Sequence, residues 1–228
     1  FHLNLFNDQL TKILHMIKGK RVLPKMVLAF CMLLAVIVSF AKGNSLNYYQ
    51  LKIYHLANDT QEKKLDTYLQ SAYLPALHRI GIKTIGVFKP VQKDTSDILV
   101  YVFIPFSSFQ QFEQLYEKLV TDKQYQNDGR DYINAPYSDM PYKRIESVLL
   151  KAFPGMPQPA LSGVAGNKRE RIYELRSYEG PTEKYYHSKV KMFNDGNEIG
   201  LFKRLGFNAI FYAAVISGSH MPNLIYMT

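Results

Sequence analysis

Two stretches of this chain, 124 residues apart, read alike: Tyr49-Gln50-Leu51-Lys52-Ile53-Tyr54 and Tyr173-Glu174-Leu175-Arg176-Ser177-Tyr178. The likeness continues in order. Ile80-Gly81 returns as Leu205-Gly206, and Leu99-Val100-Tyr101 as Leu224-Ile225-Tyr226, both at an offset of 125. Three segments at nearly one offset mark two copies of one supersecondary unit. This constrains the fold more than any other feature. Each copy must bury an apolar face, and the other copy is the nearest surface available to cover it. With 47% hydrophobic and 21% charged residues and no long low-complexity tract, the chain has the composition of a globular protein.

The first copy can be read element by element. Residues 47–56 alternate and are rich in Tyr, Leu and Ile, which predicts a strand. Asp59-x-x-Glu62 is a candidate capping box. Leu65, Tyr68, Leu69, Ala72, Leu77 and Ile80 then recur at helical spacing. Pro75 should kink or break that helix and Gly81 should end it. Residues 82–88 predict a second strand. Residues 98–104 are apolar on both faces, which predicts a central third strand. Phe109, Phe112, Leu115, Tyr116 and Leu119 form a second apolar helical stripe, and residues 145–153 predict a fourth strand. The order is β-α-β-β-α-β, the ferredoxin-like or split βαβ unit.

Residues 154–170 carry three prolines and three glycines and read as a linker. The second copy spans 171–228 and reaches only its third strand, so by analogy with the first about 50–55 further residues, one helix and one strand, are expected. The expected fold class is α+β. Tandem ferredoxin-like (βαββαβ) units, at 46–153 and 171–228 with the second truncated, would form a dimeric α+β barrel-like architecture as an intramolecular pseudo-dimer. A homo-oligomer is compatible with that arrangement.

The N-terminal region predicts a compartment. Met16 opens a basic stretch of Lys18, Lys20, Arg21 and Lys25, followed by an apolar run from Met26 to Ala41 in which Ser39 is the only polar residue. That run is short for a membrane span, which takes about 20 residues, and suits the core of a signal peptide. Ser39 and Ala41 flank Phe40 in a small-x-small pattern, so cleavage is expected after Ala41. Residues 1–41 are read as upstream residues plus signal peptide, and the mature chain as periplasmic or secreted with no stable membrane span. The only cysteine, Cys31, would leave with the leader, removing disulfides and thiolate chemistry. Net charge would fall from +9 to +5. The tightest basic cluster is Lys168, Arg169 and Arg171, interrupted by Glu170, and it reads as a solvated linker. A nucleic-acid interface is not expected.

Alternation assigns side chains to faces. Tyr49, Leu51 and Ile53 share one face, expected to pack on helices. Gln50, Lys52 and Tyr54 share the other, with Glu174, Arg176 and Tyr178 as counterparts. If the two sheets face each other, this second set points into a shared interior, where buried charge needs partners or a polar ligand.

The run Arg171-Ile172-Tyr173-Glu174-Leu175-Arg176-Ser177-Tyr178 resembles the opening strand of the NIPSNAP family, which begins Tyr-x-Leu-Arg-x-Tyr. Lys203-Arg204-Leu205-Gly206-Phe207 and Asn223-Leu224-Ile225-Tyr226 fit the same pattern. The first copy looks like a diverged version, with Lys52 where the family arginine would stand. The resemblance covers residues 46–228, most clearly from 171. It implies the ferredoxin-like fold, often as tandem domains, and no settled chemistry.

Catalytic signatures are sparse. His55, His78, His187 and His220 form no His-x-x-x-His or His-Glu-x-x-His pair, so no metal site is expected. No Gly-x-Ser-x-Gly elbow and no phosphate-cradling glycine loop occurs, so no cofactor is expected. Glu183 and His187 can share a helical face, and Ser217-Gly218-Ser219-His220 reads as a turn. Two readings remain. One is a non-enzymatic module that binds a small anionic ligand or a protein partner. The other is a cofactor-independent oxygenase-like enzyme of the α+β barrel type, with Arg176 holding an anionic substrate and Tyr54, His55 or Tyr178 accepting a proton. The weak candidate ligand-binding set is Lys52, Tyr54, His55, Glu174, Arg176 and Tyr178.

Overall fold

The computed structural model describes residues 46–167 and 170–228. The expected leader, its cleavage site and Cys31 lie outside these residues, as do Lys168 and Arg169 of the linker cluster. The chain from Ser45 to Thr228 forms one compact unit.

The first half carries β1 (Tyr48–Leu56), α1 (Asp59–Tyr68), a π-helical turn (Leu69–Tyr73), α2 (Leu74–Arg79), β2 (Gly86–Phe88) and β3 (Ile98–Phe106). Four short helices follow: α3 (Phe109–Glu113), α4 (Leu115–Thr121), α5 (Lys123–Asp128) and α6 (Arg130–Ile133). β4 (Arg144–Ala152) closes the half. The second half carries β5 (Leu175–Glu179), α7 (Glu183–Asn194), α8 (Glu198–Arg204), β6 (Phe211–Ser217) and β7 (Asn223–Met227). This is a mixed α and β protein with one antiparallel, curled seven-stranded sheet in the order β2-β3-β1-β4-β6-β7-β5.

The strand register also repeats, with β3 and β7 equivalent at an offset of 124, one residue short of the 125 at which their sequences match. Tyr54 pairs with Val100, and 124 residues later Tyr178 pairs with Leu224. Val87 pairs with Val102, and Tyr212 with Tyr226. β4 joins the halves by pairing with β1 on one side and β6 on the other, with a register shift between Leu149 and Leu150.

Local chemistry explains the helices and corrects two expectations. The cap of α1 is one residue earlier than the spacing suggested. Asn58 accepts from the Gln61 N–H at 3.0 Å, and the Gln61 side chain accepts from the Ala57 N–H at 2.7 Å. That leaves Glu62 free to pair with Lys89 and Lys93. Pro75 does not end the helical run. The ladder widens to a π turn just before it, and Pro75 falls in the first turn of α2, where a missing N–H costs little. Gly81, at φ +88°, then takes the left-handed conformation that glycine adopts without strain. The apolar stripe from Phe109 to Leu119, capped at its start by Ser108, divides at Gln114 into α3 and α4, and Asp122 caps the next helix beyond it.

Each face of the sheet packs against a different partner. Tyr54, Leu56, Val100, Val102, Ile104 and Phe106 pack under the first-half helices with Leu65, Leu69 and Leu77. Leu224 and Tyr226 pack with Phe193 of α7. The opposite face turns inward on itself, bringing Tyr49, Leu51, Phe103, Leu150, Phe211, Ile225 and Met227 into one cluster. Phe103 and Phe211 stack there with centroids 4.6 Å apart, and Tyr49 leans on both. Phe88 of β2 meets Tyr173, just before β5, at 5.1 Å, so the two ends of the strand order approach each other.

This reverses the expected faces. Tyr49, Leu51 and Ile53 line the inner face, and Lys52 and Tyr54 lie under the helices. Polarity misled because the strand carries hydrophobic residues on both faces, and the aliphatic stem of a lysine can lie on an apolar surface.

Candidate ligand cavity on the inner face

The reversal separates the sequence candidates. Lys52 is held over the Tyr54 and Tyr73 rings at 5.2 and 4.9 Å, beneath the first-half helices. Burial pulls its amine down to about 8. Arg176 pairs with Glu174 at 2.8 Å and donates to the Tyr226 hydroxyl at 3.2 Å. Tyr178 stacks on Tyr226 and carries the Lys189 ammonium over its ring. Tyr54, Arg176 and Tyr178 therefore face helices in separate halves, and only His55 lies on the inner face. The proton-acceptor and anion-holder set expected for an oxygenase-like site does not converge. Tyr54 is separated from Arg176 and Tyr178 because they lie in different halves, and His55, one residue from Tyr54, falls on the opposite face.

The inner face has two different ends. At one end the stacked aromatics fill the space. At the other, a cavity of about 260 Å³ opens. Leu51, Ile53, Val148, Leu175, Val215 and Ile225 supply apolar walls, and Tyr101, Glu146, Ser177, Glu179, Ser219, His220 and Asn223 supply the polar rim.

β1, β3, β4, β5 and β7 all bring polar groups to this end. Beside the rim, His55 is clamped at the end of β1. Its Nδ1 lies 2.7 Å from Asp97 and its Nε2 3.1 Å from Glu146. Both ring nitrogens therefore face carboxylate oxygens. His55 and Lys143 together hold Asp97 below its ordinary value. Burial, and then the charges of Glu146 and Asp97, push the Tyr101 phenol up. Across the cavity, His220 Nδ1 lies 3.3 Å from Glu179. The Asn223 amide N–H donates to Ser177 Oγ at 2.8 Å. Asn223 is only 3% exposed, and its Oδ1 is buried with no partner.

The repeat shows that this rim is not a duplicated structural device. By strand pairing, in which Leu99 faces His55 and Asn223 faces Glu179, the positions of His55, Ile53 and Leu99 in the first half correspond to Glu179, Ser177 and Asn223 in the second, one residue off the 125 offset that matched Leu99 to Leu224. Two apolar inner positions have become polar, which costs stability unless something hydrogen-bonds there. The sequence reading passed over Asp97, Glu146, Ser177 and Asn223. The usable signal was the polar replacement at offset 124, once the faces are assigned correctly.

Among the described residues, no group of three or more His, Cys, Asp or Glu is placed to hold a metal ion. Among the same residues, no helix is long and apolar enough to cross a membrane. No protein-family model and no curated protein matches the chain.

Proposed function

We propose that this chain is a small-molecule-binding module whose ligand occupies the inner cavity of the curled sheet. The observation that carries the reading is the convergence at one end of that sheet. Apolar walls lead up to Glu146, Glu179, His220 and an Asn223 carbonyl oxygen with no partner. A concave, mostly apolar site with a few convergent polar groups is the usual form of a ligand pocket. Its volume lies just under the ~300–1,000 Å³ typical of drug-sized ligands, so the ligand is small.

The same reading takes the two halves as tandem ferredoxin-like units. The strand order β2-β3-β1-β4 and the repeat of register across β5, β6 and β7 support it. In that arrangement the units form an exported barrel of the NIPSNAP type, a reading supported by the Tyr173–Tyr178 motif.

Gently purified protein, measured by native mass spectrometry, tests the reading. The expected result is a small-molecule adduct that is absent from Ile53→Trp, which fills the cavity. An adduct of equal occupancy in Ile53→Trp would place binding elsewhere and overturn the proposal.

A further inference from the structure

The inner cavity also carries information about the charge of its ligand. Lys and Arg are absent from its lining, which presents the carboxylates of Glu146 and Glu179. The nearby cations are otherwise engaged. Lys143 pairs with Asp97, and Arg144 donates back to the Lys143 carbonyl. Among the residues that line the cavity, Asn223 carries a buried polar atom without a partner: its Oδ1 is an acceptor, and the residue is more than nine-tenths buried. Its own N–H is taken by Ser177. The site therefore has a surplus of acceptors: Asn223 Oδ1 has no partner, and Glu146 and Glu179, each beside one histidine, keep further acceptor capacity, against the hydroxyl donors of Tyr101, Ser177 and Ser219.

We propose that the cavity selects a short alkylammonium ligand. This rests on the reading of the cavity as a ligand site and adds the chemical class of the ligand. The ammonium group donates to Asn223 Oδ1 and to the carboxylates of Glu179 and Glu146. The alkyl chain lies against Leu51, Ile53, Val215 and Ile225. An ammonium has three donors and no acceptor, which matches this surplus. An anion of the same length would face two carboxylates at short range in a partly desolvated site. This reverses the anionic ligand expected from Arg176, which lies on the other face of the sheet.

Calorimetric titration of the 228-residue chain with three probes of equal length tests the proposal: n-butylammonium, n-butanol and butyrate. The expected order is butylammonium well ahead of butanol, with butyrate weakest. Glu179→Gln and Asn223→Leu should each weaken butylammonium by about tenfold or more, and butanol much less. Thermal melting of both variants confirms that they remain folded. If all three probes bind equally and Ile53→Trp abolishes them together, the ligand site stands and the ammonium preference is overturned. If butylammonium binds equally to Ile53→Trp, or if no probe binds, the proposal and the cavity reading both fail.

Discussion

Lys52 and His55 stand three positions apart on one strand and do opposite work. The Lys52 ammonium lies against tyrosine rings with no carboxylate paired to it among the described residues, and burial lowers its pKa from 10.5 to about 8. Between those values the unfolded chain holds a proton that the folded chain has released, so stability rises with pH across that window. Burial raises the phenols of Tyr54 and Tyr73, so above about pH 10 the folded chain retains protons that the unfolded chain loses, and stability falls. Urea melts should therefore show greater stability at pH 9.5 than at 7.5. Lys52→Met should flatten that rise and stabilise the protein at pH 7.5 by about 1–2 kcal/mol. A parallel pH profile in both proteins would show that the ammonium is better solvated than its surroundings imply. His55, by contrast, ties β1 to Asp97 and Glu146. His55→Ala should cost about 1–3 kcal/mol, read by the same melts, because it leaves two carboxylates facing each other. Arg176→Ala should leave cavity binding unchanged, since the guanidinium is held by Glu174 and Tyr226 on the other face of the sheet.

At the scale of elements, the strands were largely legible in the sequence and the helical connections were not. β1, β3 and β4 begin and end within two residues of the ranges predicted by alternation. β2 is only Gly86–Phe88, because the residues before it do not join the ladder with β3. The second apolar stripe runs straight in sequence, yet the helix divides at Gln114, and beyond the stripe Asp122 accepts the Tyr125 N–H to start another. The sequence offered both Asn58-Asp59-Thr60 and the Asp59-x-x-Glu62 box as a cap, and the structure uses Asn58. Asn58→Ala should cost about 1 kcal/mol by denaturant melting. Asp59→Ala should cost less, because Asp59 is exposed and its partner Lys93 lies on the surface.

For the whole molecule, the repeat raised the expectation that two halves cover one another. They share one sheet through β4 and β6 and one inner core around Tyr49, Phe103 and Phe211. What the sequence could not settle was which side of β1 faced inward. β1 and β3 carry hydrophobic residues on both faces, so alternation leaves the sign open, and every candidate on those strands inherits it. The rim became visible only when Glu146, Glu179 and Asn223 came together from strands far apart in sequence. A shared core implies shared stability. Phe211→Ala should cost about 3–5 kcal/mol and still give a single unfolding transition by calorimetry. Two separate transitions would mean that the halves fold independently.

The account turns on the inner cavity, and methyl NMR reads it directly. With Ile, Leu and Val methyls labelled and butylammonium titrated in, Ile53, Leu175, Val215 and Ile225 should shift in a saturable way while Leu65, Leu77, Val100 and Val102 under the helices stay still. Shifts confined to the helix-side methyls, or none at all, would contradict it.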